Sequence, residues 1–153
     1  MIKLFLDDYR LPPDSTWVLV TNYDEFVNYI NTNGIPDVIS FDHDIHDEHY
    51  TIYEEPYIPK EIPYSSFSQK TGLDCARWLI EQKKLPKVAI VHSMNPVGAF
   101  NIANELQAHC KVYLKPRGVE GTKLGMELAI RDGYLQTNED ITCESKVKKS
   151  TSY

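Results

Sequence analysis

Five short apolar runs alternate with longer amphipathic segments along most of the chain. The runs cover residues 2–6, 17–20, 37–41, 88–91 and 112–114. Their length and their content of branched and aromatic side chains predict β-strands. The third and fourth runs are apolar almost throughout, which is typical of central strands that are covered on both faces. Strands that alternate with helices predict an α/β fold built on a parallel sheet.

Three segments between these runs and one after the last run are predicted as helices. They cover residues 23–31, 72–83, 96–109 and 122–131. Asn22 or Thr21 can cap the first helix, and Asn95 followed by Pro96 is a favourable start for the third. Only about ten residues separate the first strand from the second, too few for a crossover helix. We therefore expect an irregular connection where a parallel α/β fold would otherwise place its first helix.

Residues 45–69 form a long insert after the third strand. The insert is rich in His, Glu, Tyr and Pro, and Pro56, Pro59 and Pro63 are spaced against a long helix. A segment of this length inside a compact domain is often functional. Two interpretations stay open: a flap whose tyrosines stack on a bound ring, or a surface insertion that packs on the domain's own edge. The acidic and histidine residues at 46–49 resemble metal ligands in composition, but a solvated loop is favoured.

Composition limits the classes of partner. The chain has 153 residues, which predicts one domain over residues 1–135 and a polar, disordered tail over 136–153. The net charge of −6 argues against broad binding of duplex nucleic acid. No apolar run approaches the length of a membrane span, so no membrane partner is expected. The three cysteines are far apart, which favours reduced thiols in a cytoplasmic protein.

Chemically active residues follow four of the five strands. These residues are Asp7-Asp8 after the first strand, Asp42-His43-Asp44 after the third, His92-Ser93 after the fourth and Lys115-Pro116 after the fifth. In open α/β sheets, ligands bind outside the carboxyl ends of the strands. Carboxylates at such a position suit Mg²⁺, and a lysine suits phosphate. The pattern therefore predicts a site for a metal and a phosphate.

The order of these strand ends resembles response-regulator receiver domains. An acidic pair, a later aspartate, a hydroxyl residue and Lys-Pro occur there in the same order. Four longer strings are more similar to the cyclic-phosphate processing receiver domain family, over roughly residues 2–117; they are LFLDDYRLPP at 4–13, FDHD at 41–44, TG at 71–72 and HSMNPVGA at 92–99. The resemblance implies a flavodoxin-like, doubly wound, parallel five-stranded sheet. The absence of the first crossover helix also fits this family better than an ordinary receiver.

Each candidate site residue is assigned an expected role. Asp7, Asp8 and Asp42 would hold Mg²⁺ or Mn²⁺, because three adjacent carboxylates repel one another without a cation. Asp44 would ligate a second metal or orient His92. His43 and His92 would act as general acid and base, in an order that the sequence leaves open. The expected phosphate-binding or substrate-binding residues are Arg10, Ser93, Asn95, Lys115 and Arg117.

The leading hypothesis is a metal-dependent phosphoesterase. Its substrate would be a small phosphorylated molecule, such as a cyclic nucleotide, or an RNA end that carries a 2′,3′-cyclic phosphate. The alternative is a signalling domain without enzymatic activity, in which Asp42 accepts a phosphoryl group and a protein partner, as yet unknown, reads the change. A haloacid-dehalogenase-like phosphatase is a weaker option, because its Asp-x-Asp motif belongs on the first strand of the core, whereas Asp42-His43-Asp44 follows the third.

Overall fold

A five-stranded, all-parallel sheet forms the centre of the fold. A computed structural model describes residues 1–50, 61–114 and 118–136 of the chain. The strands are β1 Lys3–Leu6, β2 Trp17–Val20, β3 Val38–Phe41, β4 Val88–Val91 and β5 Lys111–Leu114, in the spatial order β2-β1-β3-β4-β5. This order confirms the predicted receiver-like sheet. It also places the carboxyl ends of β1, β3 and β4 side by side.

Five α-helices connect or extend the strands in the described residues. They are α1 Tyr23–Asn33, α2 Asp47–Tyr50, α3 Gly72–Gln82, α4 Pro96–Leu106 and α5 Gly118–Arg131, with a 3₁₀ helix at Tyr64–Ser66. The side chains of Asn22, Thr71 and Asn95 accept hydrogen bonds from the first turns of α1, α3 and α4, as their residue types favour. Helix α4 ends three residues before the predicted limit. Helix α5 begins four residues earlier than predicted, at Gly118, whose backbone has φ +70°.

Helices cover both faces of the sheet, as predicted for a doubly wound fold. One face packs against α1, α3 and α4 through buried side chains such as Phe26, Leu79 and Ile102. The other packs against α5, with Phe5 and Ile90 in its core. Between β1 and β2 there is no helix, which confirms the missing crossover helix. The loop over residues 7–16 instead turns back directly, and the backbone N–H of Asp7 donates to the carbonyl of Val20.

The described part of the insert folds onto the domain. His49 is fully buried, so the expectation of a solvated loop over residues 46–49 is wrong at this position. Its Nδ1 accepts from the backbone N–H of Ile45 at 3.0 Å, and its Nε2 donates to the carbonyl of Gln69 at 3.0 Å. The imidazole therefore joins the two ends of the insert. The interpretations proposed for residues 51–60 and for the tail at 137–153 lie outside the described residues.

Among the residues that the structure describes, no helix is both long enough and apolar enough to cross a membrane. This agrees with the absence of long apolar runs in the sequence.

Candidate active site

The register of the sheet places three site residues in one row. Leu6, Phe41 and Val91 are paired across β1, β3 and β4. The ladder continues one residue further, because the N–H groups of Asp42 and His92 donate to the carbonyls of Leu6 and Phe41. Successive residues of a strand point to opposite faces. Asp7, Asp42 and His92 are therefore expected on the α5 side, and Asp8, His43 and Ser93 on the opposite side.

A cluster of three carboxylates lies at this edge of the sheet. Asp7, Asp8 and Asp42 each offer one oxygen, and these oxygens lie within 4.8 Å of one another. Asp7 and Asp42 are buried, whereas Asp8 is half-buried. Asp44, the fourth predicted metal ligand, is outside this group and contacts His43 instead. We call the group of Asp7, Asp8 and Asp42 the acidic cluster.

Asp7 is held by the turn that follows β1. The N–H groups of Tyr9 and Arg10 donate to its Oδ1 at 2.9 and 2.8 Å, and His92 Nε2 lies 3.0 Å from its Oδ2. Burial raises the pKa of Asp7, but these hydrogen bonds outweigh it and hold the pKa below its ordinary value. Burial also lowers the pKa of His92. Both pKa shifts favour a neutral His92 imidazole that donates to an ionised Asp7 carboxylate.

Asp42 is the least satisfied carboxylate of the cluster. Its Oδ1 accepts from the N–H of His43 at 2.8 Å, but its Oδ2 is buried and accepts no hydrogen bond from any described residue. Among the described residues, Arg10 provides the cationic group paired with Oδ2, with its Nη1 at 3.8 Å. Burial raises the pKa of Asp42 well above its ordinary value, and the neighbouring charges of Asp7 and Asp44 add to the effect. An oxygen in this state is a ready ligand for a cation.

A glycine in α3 fixes the backbone of Asp42. The N–H of Gly72 donates to the carbonyl of His43 at 2.8 Å. A Cβ at Gly72 would lie 1.9 Å from the carbonyl oxygen of Asp42, far inside van der Waals contact. Only glycine therefore lets α3 approach the strand end this closely. This close approach explains why glycine follows Thr71 at the start of α3.

The insert also reaches the acidic cluster through Tyr50. Its hydroxyl donates to Asp8 Oδ1 at 2.7 Å and lies 2.9 Å from the carbonyl of Asp44. Burial raises the pKa of Asp8, and the neighbouring charge of Asp7 raises it further. The hydrogen bond from Tyr50 lowers this pKa but does not cancel the increase. Tyr50 is the first tyrosine of the insert, and the structure places its hydroxyl against a carboxylate of the acidic cluster.

His92 lies beneath the acidic cluster on the α5 side of the sheet. It is fully buried, and its ring stacks on Phe5 with 4.5 Å between ring centroids and 5° between ring planes. Its Nδ1 lies 2.7 Å from the hydroxyl of Ser40, which in turn lies 2.8 Å from the hydroxyl of Thr122. Both ring nitrogens are thus bound to protein groups. Neither Ser40 nor Thr122 was identified as a site residue from the sequence.

His43 lies on the opposite face, between the sheet and α4. It is fully buried, and a Cβ at Gly98 would lie 2.4 Å from its Cγ, so glycine makes room for the ring. Its Nδ1 lies 2.8 Å from Asp44 Oδ1, and its Nε2 lies 2.8 Å from the hydroxyl of Tyr64. Asn101 Nδ2 donates to that hydroxyl at 3.0 Å. The structure therefore separates the two histidines that were expected to work together.

The predicted anion-binding residues are only partly described. Ser93 and Asn95 are buried, and the Ser93 hydroxyl accepts from the N–H of Asn95 at 3.1 Å. Asn95 Oδ1 caps α4, while its buried Nδ2 has no hydrogen-bond partner among the described residues. This donor lies at a helix N-terminus, where anions are favoured. Lys115 and Arg117, two further predicted phosphate contacts, lie outside the described residues.

Comparisons with known proteins identify the family. The family model described as the cyclic-phosphate processing receiver domain matches residues 2–108 of the 153. No curated protein matches the chain. A solved structure of a trimeric coiled coil of yeast Spc42 fused to another protein is similar in fold, with 13% identity and a TM-score of 0.50, over 99% of this chain and 94% of that one. The family match covers more than half of the chain, so this protein belongs to the cyclic-phosphate processing receiver domains.

Proposed function

We propose that the chain is a metal-dependent phosphoesterase that opens a cyclic phosphate. The proposal rests on the acidic cluster, in which a buried oxygen of Asp42 has no hydrogen-bond donor among the described residues. Three carboxylates with oxygens within 4.8 Å form a site for a hard divalent cation such as Mg²⁺ or Mn²⁺. The family to which the chain belongs supports cyclic-phosphate processing as the reaction class.

Asp7, Asp8 and Asp42 would hold the cation. When bound, a divalent cation polarises a phosphoryl group and lowers the pKa of its bound water. The turn N–H groups and His92 keep Asp7 ionised and fixed in direction, whereas Asp42 contributes its Oδ2, which accepts no hydrogen bond from the described residues. The donor set therefore fits the cation by charge, by chemistry and by pre-organisation.

The substrate phosphate would be held by groups around the cluster. Arg10 is only partly buried and lies between Asp7 and Asp42, so its guanidinium can turn to a non-bridging phosphate oxygen. Further candidate donors at the N-terminus of α4 are Ser93 and the Nδ2 of Asn95, which has no partner in the described part of the chain. Lys115 and Arg117 stay predictions for the same role. Such donors stabilise negative charge as it develops on the phosphoryl oxygens.

The reaction would add one water across one ring bond of the cyclic phosphate. The water oxygen forms a bond to phosphorus, one ring P–O bond breaks, and the leaving alkoxide takes up the water proton. The assignment of His43 and His92 as general acid and base stays a prediction. Each has both ring nitrogens bound to protein groups, so each would act on substrate only after exchanging one of those partners.

A panel of substrates tests the proposal. Release of a phosphomonoester is measured from 2′,3′- and 3′,5′-cyclic nucleotides and from RNA with a 2′,3′-cyclic end, with Mn²⁺, with Mg²⁺ or with EDTA. Turnover that requires metal and is lost in Asp42→Asn supports the phosphoesterase. Asp24→Asn is the matched control, because Asp24 is exposed on α1. Absence of turnover, together with stable labelling of Asp42 by acetyl phosphate, would favour the signalling alternative instead.

A further inference from the structure

Ser40 is a buried hydroxyl in the middle of an otherwise apolar strand. It lies on β3 between Ile39 and Phe41, is fully buried, and is paired in register with Phe5 and Ile90. A hydroxyl at such a position destabilises the fold unless it is hydrogen-bonded. Packing would favour an apolar residue here. The presence of Ser40 therefore calls for a role in hydrogen bonding.

The partners of Ser40 link helix α5 to the acidic cluster. Thr122 on α5 lies 2.8 Å from Ser40, Ser40 lies 2.7 Å from His92, and His92 lies 3.0 Å from Asp7. All four side chains are fully buried. Because these side chains do not contact bulk solvent, removal of one member is expected to leave its neighbour without a hydrogen-bond partner. We call this series Thr122–Ser40–His92–Asp7 the buried relay.

The hydrogen-bonding capacity of Asp7 determines which group donates and which accepts at each step of the buried relay. An ionised Asp7 only accepts, so Nε2 of a neutral His92 carries the proton and donates. Nδ1 of the same ring must then accept, and the donor available to it is the hydroxyl of Ser40. The Ser40 oxygen in turn accepts from the hydroxyl of Thr122. For a neutral ring this is the one arrangement of protons that satisfies every group of the relay, and it fixes both the tautomer and the ring orientation of His92.

We propose that Ser40 and Thr122 are positioning residues for the metal site. They act through His92, which they hold as a donor to one oxygen of Asp7, so that the carboxylate keeps a single direction toward the cation. Outer partners of a ligand commonly determine metal affinity in this way. The stacking of His92 on Phe5 fixes the plane of the ring, and the relay fixes its rotation within that plane. This inference rests on the proposed function, because it requires that Asp7 ligates a cation.

Metal affinity of the 153-residue chain tests the proposal. Mn²⁺ binding is measured by calorimetry for wild type, Ser40→Ala and Thr122→Val, which remove one hydroxyl each. Affinity is expected to fall about tenfold in Ser40→Ala and less, about threefold, in Thr122→Val. Thr122→Ser keeps the hydroxyl and should restore wild-type affinity. Tyr113→Phe is the control, because it removes a different hydroxyl, bonded to Asp132 of the chain segment after α5, and should leave Mn²⁺ affinity unchanged.

The tautomer of His92 provides a readout that is independent of activity. Long-range ¹⁵N NMR of the histidines should show Nε2 protonated and Nδ1 unprotonated in the wild type. In Ser40→Ala the Nδ1 resonance should shift, because its donor is gone. A wild-type ring that carries its proton on Nδ1 would overturn the proposal.

Mn²⁺ binding distinguishes a failure of the positioning role from a failure of the proposed function. If wild type binds Mn²⁺ and both hydroxyl deletions bind it equally well, the relay has no positioning role and the proposed metal site stands. If wild type binds no Mn²⁺ or Mg²⁺, the proposed function fails and the positioning role fails with it. A loss of affinity that Thr122→Ser does not restore would indicate a packing effect and also overturn the proposal.

Discussion

Replacing Asp42 with asparagine should stabilise the metal-free protein while abolishing its metal site. The substitution keeps the shape of the side chain and removes its charge. Asp42 is 2% exposed, and its Oδ2 accepts no hydrogen bond from the described residues. An amide at this position can donate to a neighbouring carboxylate. Functional sites often carry such destabilising groups, and their removal commonly raises stability.

The magnitude follows from the charges around Asp42. Its oxygen lies within 4.8 Å of oxygens of Asp7 and Asp8, and each repulsion amounts to about 3 kcal/mol at an effective dielectric constant of about 20. The attraction to Arg10, at 3.8 Å, is about 4 kcal/mol on the same scale and is reduced by solvent screening. The net repulsion of about 2 kcal/mol comes in addition to the cost of burying the charge, so its removal should stabilise the fold by about 2 kcal/mol or more, which corresponds to a rise in Tm of about 4–8 °C or more.

The effect should depend on pH in a defined direction. The pKa of Asp42 is raised in the folded state, mainly by burial, so the folded protein binds more protons than the unfolded chain. The stability that this group contributes is present below its unfolded pKa and is lost as pH rises through its folded pKa. Asparagine does not titrate. The advantage of Asp42→Asn over wild type should therefore be small in acid and grow as pH rises.

Thermal unfolding in EDTA from acid to neutral pH measures this difference. In saturating Mn²⁺ the order should reverse, because the cation stabilises wild type and not the variant. A variant that is less stable than wild type in EDTA at neutral pH would refute the electrostatic reasoning. A Tm difference that does not change with pH would refute it as well.

Three further substitutions test other parts of the structure. Gly72→Ala places a Cβ 1.9 Å from the carbonyl oxygen of Asp42. Chemical denaturation should therefore show a free energy of unfolding lower by about 3 kcal/mol or more, and Mn²⁺ binding should be weaker. Tyr64→Phe removes the hydroxyl bound to His43, so the free energy of unfolding should fall by about 1–2 kcal/mol and hydrogen exchange in residues 61–70 should be faster. Arg10→Gln removes a competing cation, so calorimetry should show several-fold tighter Mn²⁺ binding while KM for a cyclic phosphate rises.

The sheet and its helix caps follow from local sequence patterns. Short apolar runs predicted the five strands, and Asn22, Thr71 and Asn95 marked helix starts because their side chains bond the first turn. The missing crossover helix followed from chain length alone, since about ten residues cannot form a strand-to-strand crossover. The early start of α5 was missed, because a glycine with φ +70° opens it.

The site was only partly predictable because side-chain direction depends on register. Sequence order indicated that Asp7, Asp42 and His92 end neighbouring strands, but it did not show that they share a row and a face. The same limitation led His43 and His92 to be grouped, although they lie on opposite faces. Ser40 carried a usable signal, as a polar residue within the third apolar run. A polar residue within an apolar run indicates a buried hydroxyl, but it does not indicate that the partner of this hydroxyl is Thr122 on α5.

A divalent cation held by the acidic cluster is central to the proposed function. Crystals of the wild-type protein grown with Mn²⁺ test it directly, through anomalous scattering measured at the manganese absorption edge. We expect an anomalous peak coordinated by oxygens of Asp7, Asp8 and Asp42, and we expect this peak to be absent in Asp42→Asn. A wild-type crystal without a peak at this cluster, with Arg10 still between Asp7 and Asp42, would contradict it.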